Sequence, residues 1–240
     1  MANAPIKGTA SNMRQTYLSQ EPRILLQTEG FIAIDKPFGI SVHNTEDPVN
    51  VLSWLTDTLK ASTVPQKALF PVHRLDKETS GVQVLALNEE SARSLAQAFE
   101  QRAVSKTYVG ILRGSLPLDE GVWTAPLSDK AEGRLNPAGQ AKNHVPCETR
   151  YKVLKRSRYF SMCEFDLITG RQHQIRKHCA IAKHALVGDP RYGDAKYNGR
   201  MRDFYQTERM FLHCSRLKVL NHAIESELPL DFQKLFEETT

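Results

Sequence analysis

The fold is decided by residues 71–88, PVHRLDKETSGVQVLALN. Residues 82–87, VQVLAL, are an apolar run of strand length and read as a buried strand. Thr79, Ser80 and Gly81 ahead of it have the chemistry of a turn. Before the turn, His73, Arg74 and Asp76 put an imidazole, a guanidinium and a carboxylate within four residues. A carboxylate is thus held in a loop with rigid support, which is where reactive side chains concentrate.

Upstream, residues 23–37 read as a β-hairpin that turns at Glu29 and Gly30, and residues 40–43 resume extended structure. Asp47 and Pro48 supply an N-cap and a first-turn proline for a helix to Lys60, with Val51, Leu52, Leu55 and Leu59 on one face. Residues 62–68 are a loop, and residues 1–20 a loose polar arm.

Downstream, Asn88 caps a helix to Arg102. Ala92, Leu95, Ala96 and Phe99 form its buried stripe. Strands follow at 105–112, 149–154 and 159–167, with a short edge strand near 122–125 and an exposed loop over 133–142. Phe160, Met162 and Phe165 are the apolar side of the third of these strands. A helix over 172–183 carries Arg171, His173 and Arg176 at its start, with Ile175, Cys179 and Ile181 or Ala182 on its buried side. Residues 186–192 form a Gly/Pro turn, and 197–209 a polar, basic excursion over the surface. A strand at 210–220 and a helix at 229–238 complete the chain. Strands outnumber helices without a regular βαβ alternation, so the fold class is α+β, with a mixed, mainly antiparallel central sheet and flanking helices. No linker divides residues 21–240, which read as one domain.

The chain has 240 residues, 40% hydrophobic and 25% charged, enough for a sizeable core. No apolar run approaches the roughly 18 residues that span a membrane. Residues 1–20 lack the apolar centre of a signal peptide, so a cytoplasmic protein is expected; the expected oligomeric state is a monomer. The net charge of +5 favours a polyanionic partner. Cys147, Cys163, Cys179 and Cys214 are scattered and read as free thiols. His178, Cys179, His184 and His213 fit no zinc spacing, so no metal is expected.

Three polar sets end predicted core elements: His73, Arg74 and Asp76; Lys106 and Tyr108; Arg171, His173, Gln174 and Arg176. Taken singly, each has a structural explanation: an ion-pair network, a half-buried strand tyrosine, a solvated helix face. Together they describe a site that binds an anion and holds a reactive carboxylate. Nucleotide-cofactor glycine loops and a hydrolase nucleophile elbow are absent. Asp76 and Glu78, two apart, could face one side as a glycosidase pair, with nothing else in support.

The motifs resemble those of the RluA family of pseudouridine synthases. HRLDKETSG matches its H-R-L-D-x-x-T-S-G. FIAIDKPFGISVH is similar to its N-K-P-x-G-x-x-V-H, with Asp35 in place of Asn. Lys106 and Tyr108 match its K-x-Y. TGRQHQIRKH and HALVGDPRYG match two further segments, with Ala185 replacing a proline, and FLHCSRL resembles a last one. They occur in family order over most of the chain.

The resemblance implies roles. Asp76 is the catalytic aspartate, acting on the base or the sugar. Tyr108 stacks on the target base and assists proton removal. Arg176 pairs with Asp76 and favours its ionised form. Arg74 fills the helix stack vacated by a flipped nucleotide. His73, Lys106, Arg171, His173 and Gln174 contact RNA. An isomerisation has no net redox change, so no cofactor is implied. The short N-terminal arm implies that the family's S4 domain is absent. Residues 193–209 resemble the TruC-like subgroup, which implies a tRNA substrate. The alternatives are ribosomal RNA, both RNAs, or a non-catalytic RNA-binding relative.

Overall fold

The computed structural model describes residues 22–43, 46–47, 49–60, 68–140 and 144–237. The expected arm at 1–20, most of the 62–68 loop and the proline at the start of the first helix lie outside the described residues. Among them are ten strands: β1 (Arg23–Gln27), β2 (Phe31–Lys36), β3 (Phe70–Pro71), β4 (Ser80–Ala86), β5 (Ser105–Arg113), β6 (Glu120–Trp123), β7 (Thr149–Arg156), β8 (Phe160–Leu167), β9 (Leu212–Val219) and β10 (His222–Glu225). The helices are α1 (Val51–Lys60), α2 (Glu89–Glu100), α3 (Gln174–Ile181), α4 (Ala195–Tyr205) and α5 (Leu230–Glu237).

The strands form one sheet in the order β1-β2-β4-β9-β5-β8-β7-β6, with β10 on β9 and β3 on β4. Only β4 and β9 pair in parallel, through Ser80–His213 and Gly81–Cys214. Gly81 is required there. Its φ is +108°, and a Cβ would lie 2.2 Å from the Cys214 carbonyl oxygen.

Both faces of the sheet are covered. Val82, Val84, Cys163 and Phe165 pack on one face with Leu95 of α2 and Ile175 and Cys179 of α3. On the other, α1 covers Ile32, Ile34 and Leu85 with Val51, Leu55 and Leu59. Phe232, Leu235 and Phe236 of α5, with Met201 of α4, cover Val109, Ile111, Phe160 and Met162. Each such side chain contributes roughly 1.5–3 kcal/mol on full burial.

Several expectations need correction. In β8, Phe160 and Met162 face opposite to Phe165, because both faces of that strand are buried. Helix α1 begins at Val51, where Asn50 and Ser53 cap each other; Asp47 instead pairs with Lys77 at 2.6 Å. Leu95 and Ala98 are the fully buried positions of α2, which Asn88 caps through Ser91 N. Residues 40–43 form no strand. The basic stretch at 197–209 is largely helix, with Asp194 capping Tyr197 N. Helix α3 starts at Gln174, because His173 has a left-handed backbone, φ 55°.

Candidate active site

Asp76 sits in a braced loop between β3 and β4. The Asp76 carbonyl accepts from Thr79 N at 3.0 Å. The buried Gln83 side chain accepts from Leu75 N at 3.1 Å and donates to the His73 carbonyl at 2.8 Å. Underneath runs the loop after β2. Lys36, fully buried, donates to the carbonyls of Pro37, Ile40 and Lys77 at 2.9, 2.8 and 3.3 Å. Gly39 N also donates to the Lys77 carbonyl, at 2.7 Å.

Arg176 meets that loop from α3. Its Nη1 lies 2.9 Å from Asp76 Oδ2 and 3.2 Å from Glu78 Oε2. Its Nε and Nη2 each donate to Asp189, at 2.9 Å. Arg176 is 2% exposed and Asp189 fully buried. Burial disfavours the guanidinium charge, but hydrogen bonds and charge from Asp189, together with Asp76, outweigh it and raise the pKa. His173 Nε2 approaches Asp76 Oδ1 at 3.5 Å, and its Nδ1 bonds the Tyr192 hydroxyl at 3.0 Å. Burial, partly offset by the Asp76 charge, lowers the His173 pKa and so favours the neutral ring.

Asp76 opens onto a pocket of about 90 Å³ that Arg74, Lys106, Tyr108, Arg171, His173, Gln174 and Arg176 also line. It lies at the parallel junction of β4 and β9, and Leu212 of β9 contributes to its wall. The sequence thus placed eight of its nine candidates in one pocket. Tyr108, on β5, is 7% exposed. Burial pushes its phenol well above the usual range, with the Cys214 and Asp76 charges adding to the effect. It therefore stays protonated at neutral pH, suited to stacking and to relaying a proton rather than to acting as a phenolate base. Burial also lowers the Lys106 pKa. Arg171 has a buried Nε with no acceptor among the described residues; its Nη1 meets Asp129 at 3.3 Å.

His73 is the exception. Its Nε2 accepts from Val84 N at 2.9 Å, and its ring stacks on Phe99 at 4.9 Å. Burial, with the Lys106 charge adding, pushes its pKa down to about 3. The ring braces the loop and is not among the pocket-lining residues. Gln174 reaches the pocket, but its amide is used internally. It donates to the Glu148 carbonyl and Thr149 Oγ1 at 2.9 and 2.8 Å, and accepts from Thr169 Oγ1 at 2.8 Å and Arg171 N at 3.1 Å. It shapes the Arg171 turn.

Asp189 and Lys36 lie within the HALVGDPRYG and FIAIDKPFGISVH segments, and their roles are visible only in the fold. Asp189 Oδ1 also accepts from Arg191 N and Tyr192 N, the local pattern that an Asp-Pro turn suggests. His178, His184 and His213 bond Thr149, the Arg113 carbonyl and Ser80 respectively. No group of three or more metal-binding side chains occurs among the described residues. Nor, there, is any helix long and apolar enough to cross a membrane.

Fold and pocket together define an α+β protein with a carboxylate held by an arginine in an open polar site. Residues 30–181 match a family model described as RNA pseudouridylate synthase, and the chain belongs to that family. It is 34% identical over 223 residues to tRNA pseudouridine synthase C of Vibrio parahaemolyticus, covering 87% of this chain and 88% of the relative. The protein of that name from Salmonella typhi is 33% identical over 232 residues, covering 90% and 86%. That of Pectobacterium carotovorum is 34% identical over 229 residues, 88% of this chain, and the match spans 58% of the relative's length. The fold is that of human RNA Pseudouridylate Synthase Domain Containing 4, with a TM-score of 0.75, 24% identity and coverage of 90% and 92%. Human RNA Pseudouridylate Synthase Domain Containing 1 gives 0.71, 23%, 87% and 83%.

Proposed function

We propose that this protein isomerises a uridine of tRNA to pseudouridine. The observation that carries the reading is the 2.9 Å contact from Arg176 to Asp76 in a pocket shared with Tyr108. The names of the bacterial relatives support tRNA over ribosomal RNA.

The bond from N1 to the ribose C1′ breaks and a bond from C5 to C1′ forms. C5 loses a proton and N1 gains one. No electrons are exchanged with a third party, so the reaction needs no redox cofactor. Asp76 is the covalent catalyst, held by Arg176. Tyr108 stacks on the flipped base, an interaction of roughly 1–3 kcal/mol that offsets part of the unstacking, and its hydroxyl relays the C5 proton. Arg74, exposed at the pocket mouth, enters the vacated stack. Lys106, Arg171 and His173 meet the nucleotide and its phosphates, and Gln174 fixes Arg171. The reading includes a cytoplasmic monomer, to be checked by the solution mass of the protein and by cell fractionation.

The test is pseudouridine mapping of a tRNA transcript treated with wild-type protein and with Asp76→Asn. Wild type should convert one or a few uridines, and the variant should be slower by about 10³-fold or more while still binding tRNA. An Asp76→Asn protein of full activity would overturn the mechanism. A wild type active on ribosomal RNA alone would overturn the choice of substrate.

A further inference from the structure

A second cavity, of about 240 Å³, is lined in part by Tyr192, which also contacts two residues of the catalytic pocket. The Tyr192 hydroxyl bonds His173 at 3.0 Å, and its ring sits 5.4 Å from the Arg176 guanidinium carbon. The cavity is larger than the one holding Asp76 but has none of that site's reactive groups. Its character is cationic. Arg113 at the end of β5, Arg134 in the loop after β6 and Lys183 just past α3 all face it.

One carboxylate, Asp194, opposes them. It is engaged twice, by Arg134 at 2.6 Å and by Tyr197 N at 2.8 Å. The C-terminal end of α3 adds partial negative charge, which Lys183 is placed to neutralise. Among the described residues neither Arg113 nor Lys183 has an ion pair. The Arg113 guanidinium lies over the Tyr197 ring, 4.4 Å from its centroid. A stacked guanidinium keeps its N–H edge available to an anion. Two cations without an ion pair among the described residues line a concave site that also includes Tyr192, a neighbour of Arg176, and they suit a phosphate of the strand that carries the target nucleotide.

We propose that this cavity seats a phosphodiester of the substrate RNA, adjacent to the flipped nucleotide, with Arg113 and Lys183 as its cationic ligands. Helix α4, which supplies Tyr197, then acts as the support of an RNA contact. The proposal rests on the RNA reading above.

The test is the salt dependence of tRNA-transcript binding by wild type and by Arg113→Gln/Lys183→Gln, over roughly 50 to 200 mM salt. Loss of one phosphate contact should reduce the slope of log K against log salt by about 0.7–0.9. Affinity at low salt should fall about tenfold, with KM raised and kcat at saturating tRNA unchanged. If losing Arg113 from Tyr197 unfolds the double variant, the slope is read on Lys183→Gln alone. An unchanged slope overturns the proposal, even if affinity falls. So does a variant that loses inorganic phosphate, titrated by itself, but keeps the wild-type tRNA slope, since the cavity is then a small-anion site. A wild type that binds tRNA but forms no pseudouridine overturns the enzymatic reading instead, and the slope comparison still decides this one.

Discussion

Asp189 holds Arg176 through two parallel hydrogen bonds, Nε to Oδ2 and Nη2 to Oδ1, both 2.9 Å, with both side chains out of solvent. Only Nη1 is left for Asp76 and Glu78. The aim of the pocket's carboxylate is therefore set by a second carboxylate on the far side of the guanidinium. The pair is also what allows a charged arginine to be buried in α3.

Replacing Asp189 with alanine should strand that charge. Removing one partner of a buried pair costs about 3–5 kcal/mol, read as a lower urea midpoint. Turnover should fall as well at temperatures where the variant is folded. Asp189→Asn, which keeps one acceptor oxygen, should lie between. Wild-type stability in Asp189→Ala would show that Arg176 finds its compensation elsewhere.

Lys36 is a strut beneath the Asp76 loop. Lys36→Met should leave the Pro37 and Ile40 carbonyls without their donor, since the Lys77 carbonyl keeps Gly39 N. At about 1–3 kcal/mol for each stranded acceptor, the loss is about 2–6 kcal/mol by urea denaturation. Because Lys77 adjoins Asp76, kcat should drop with little change in tRNA affinity. An intact kcat would mean the loop holds its shape without the strut.

Arg74 and Arg176 differ in exposure, and their variants should differ in kind. Arg74→Ala is expected to fold normally and to bind tRNA nearly as well. Its turnover should fall about ten- to a hundredfold, the equivalent of losing part of the few kcal/mol that base flipping needs. A 2-aminopurine reporter beside the target uridine would show less unstacking. Normal turnover would remove the wedge role.

Two imidazoles with depressed pKa values, a half-buried His73 and a buried His213, give stability a pH dependence of known sign. Burial pushes His73 to about 3 and His213 to about 4, against about 6.5 in the unfolded chain. Between those values the unfolded chain binds more protons, so stability rises with pH and is lost as pH falls from about 6.5 toward 4. Each group contributes up to about 1.4 kcal/mol per pH unit. Urea titrations at pH 7 and pH 5 should give a clearly lower unfolding free energy at pH 5. His73→Gln should shallow that dependence, and equal stabilities at the two pH values would contradict the depressed pKa values of both rings.

Much of this was legible in the sequence, for reasons that particular residues make clear. Asn88 announced its helix because a cap is local chemistry, and the 82–87 run announced its strand because burial on both faces leaves Gln83 as its single polar residue. Asp76, Tyr108 and Arg176 came through motifs, and the fold brings them to one pocket. Asp189 was missed because its partner is tertiary, and nothing in LVGDPRY says which cation it will meet. Lys177 carried no signal for the same reason; it is buried and donates to the Ser128 and Lys130 carbonyls at 2.7 and 2.8 Å. Helix α4 was hidden because only Met201 on it is fully buried, so it has no apolar stripe to read. Four-residue β10 buries Ile224 alone. The histidine at 73 bonds Val84 N and stacks on Phe99, contacts with the scaffold that its motif does not announce.

The two-residue parallel junction has a bearing on biosynthesis. Gly81 lies on Cys214 only after more than half the polypeptide has been translated beyond it, and joining such distant points carries a large closure entropy. A nascent chain that already displays the complete HRLD loop is therefore still inert. Ribosome-stalled fragments ending before residue 214 should have no modifying activity, and the newborn enzyme is silent until its last long strand emerges from the exit tunnel.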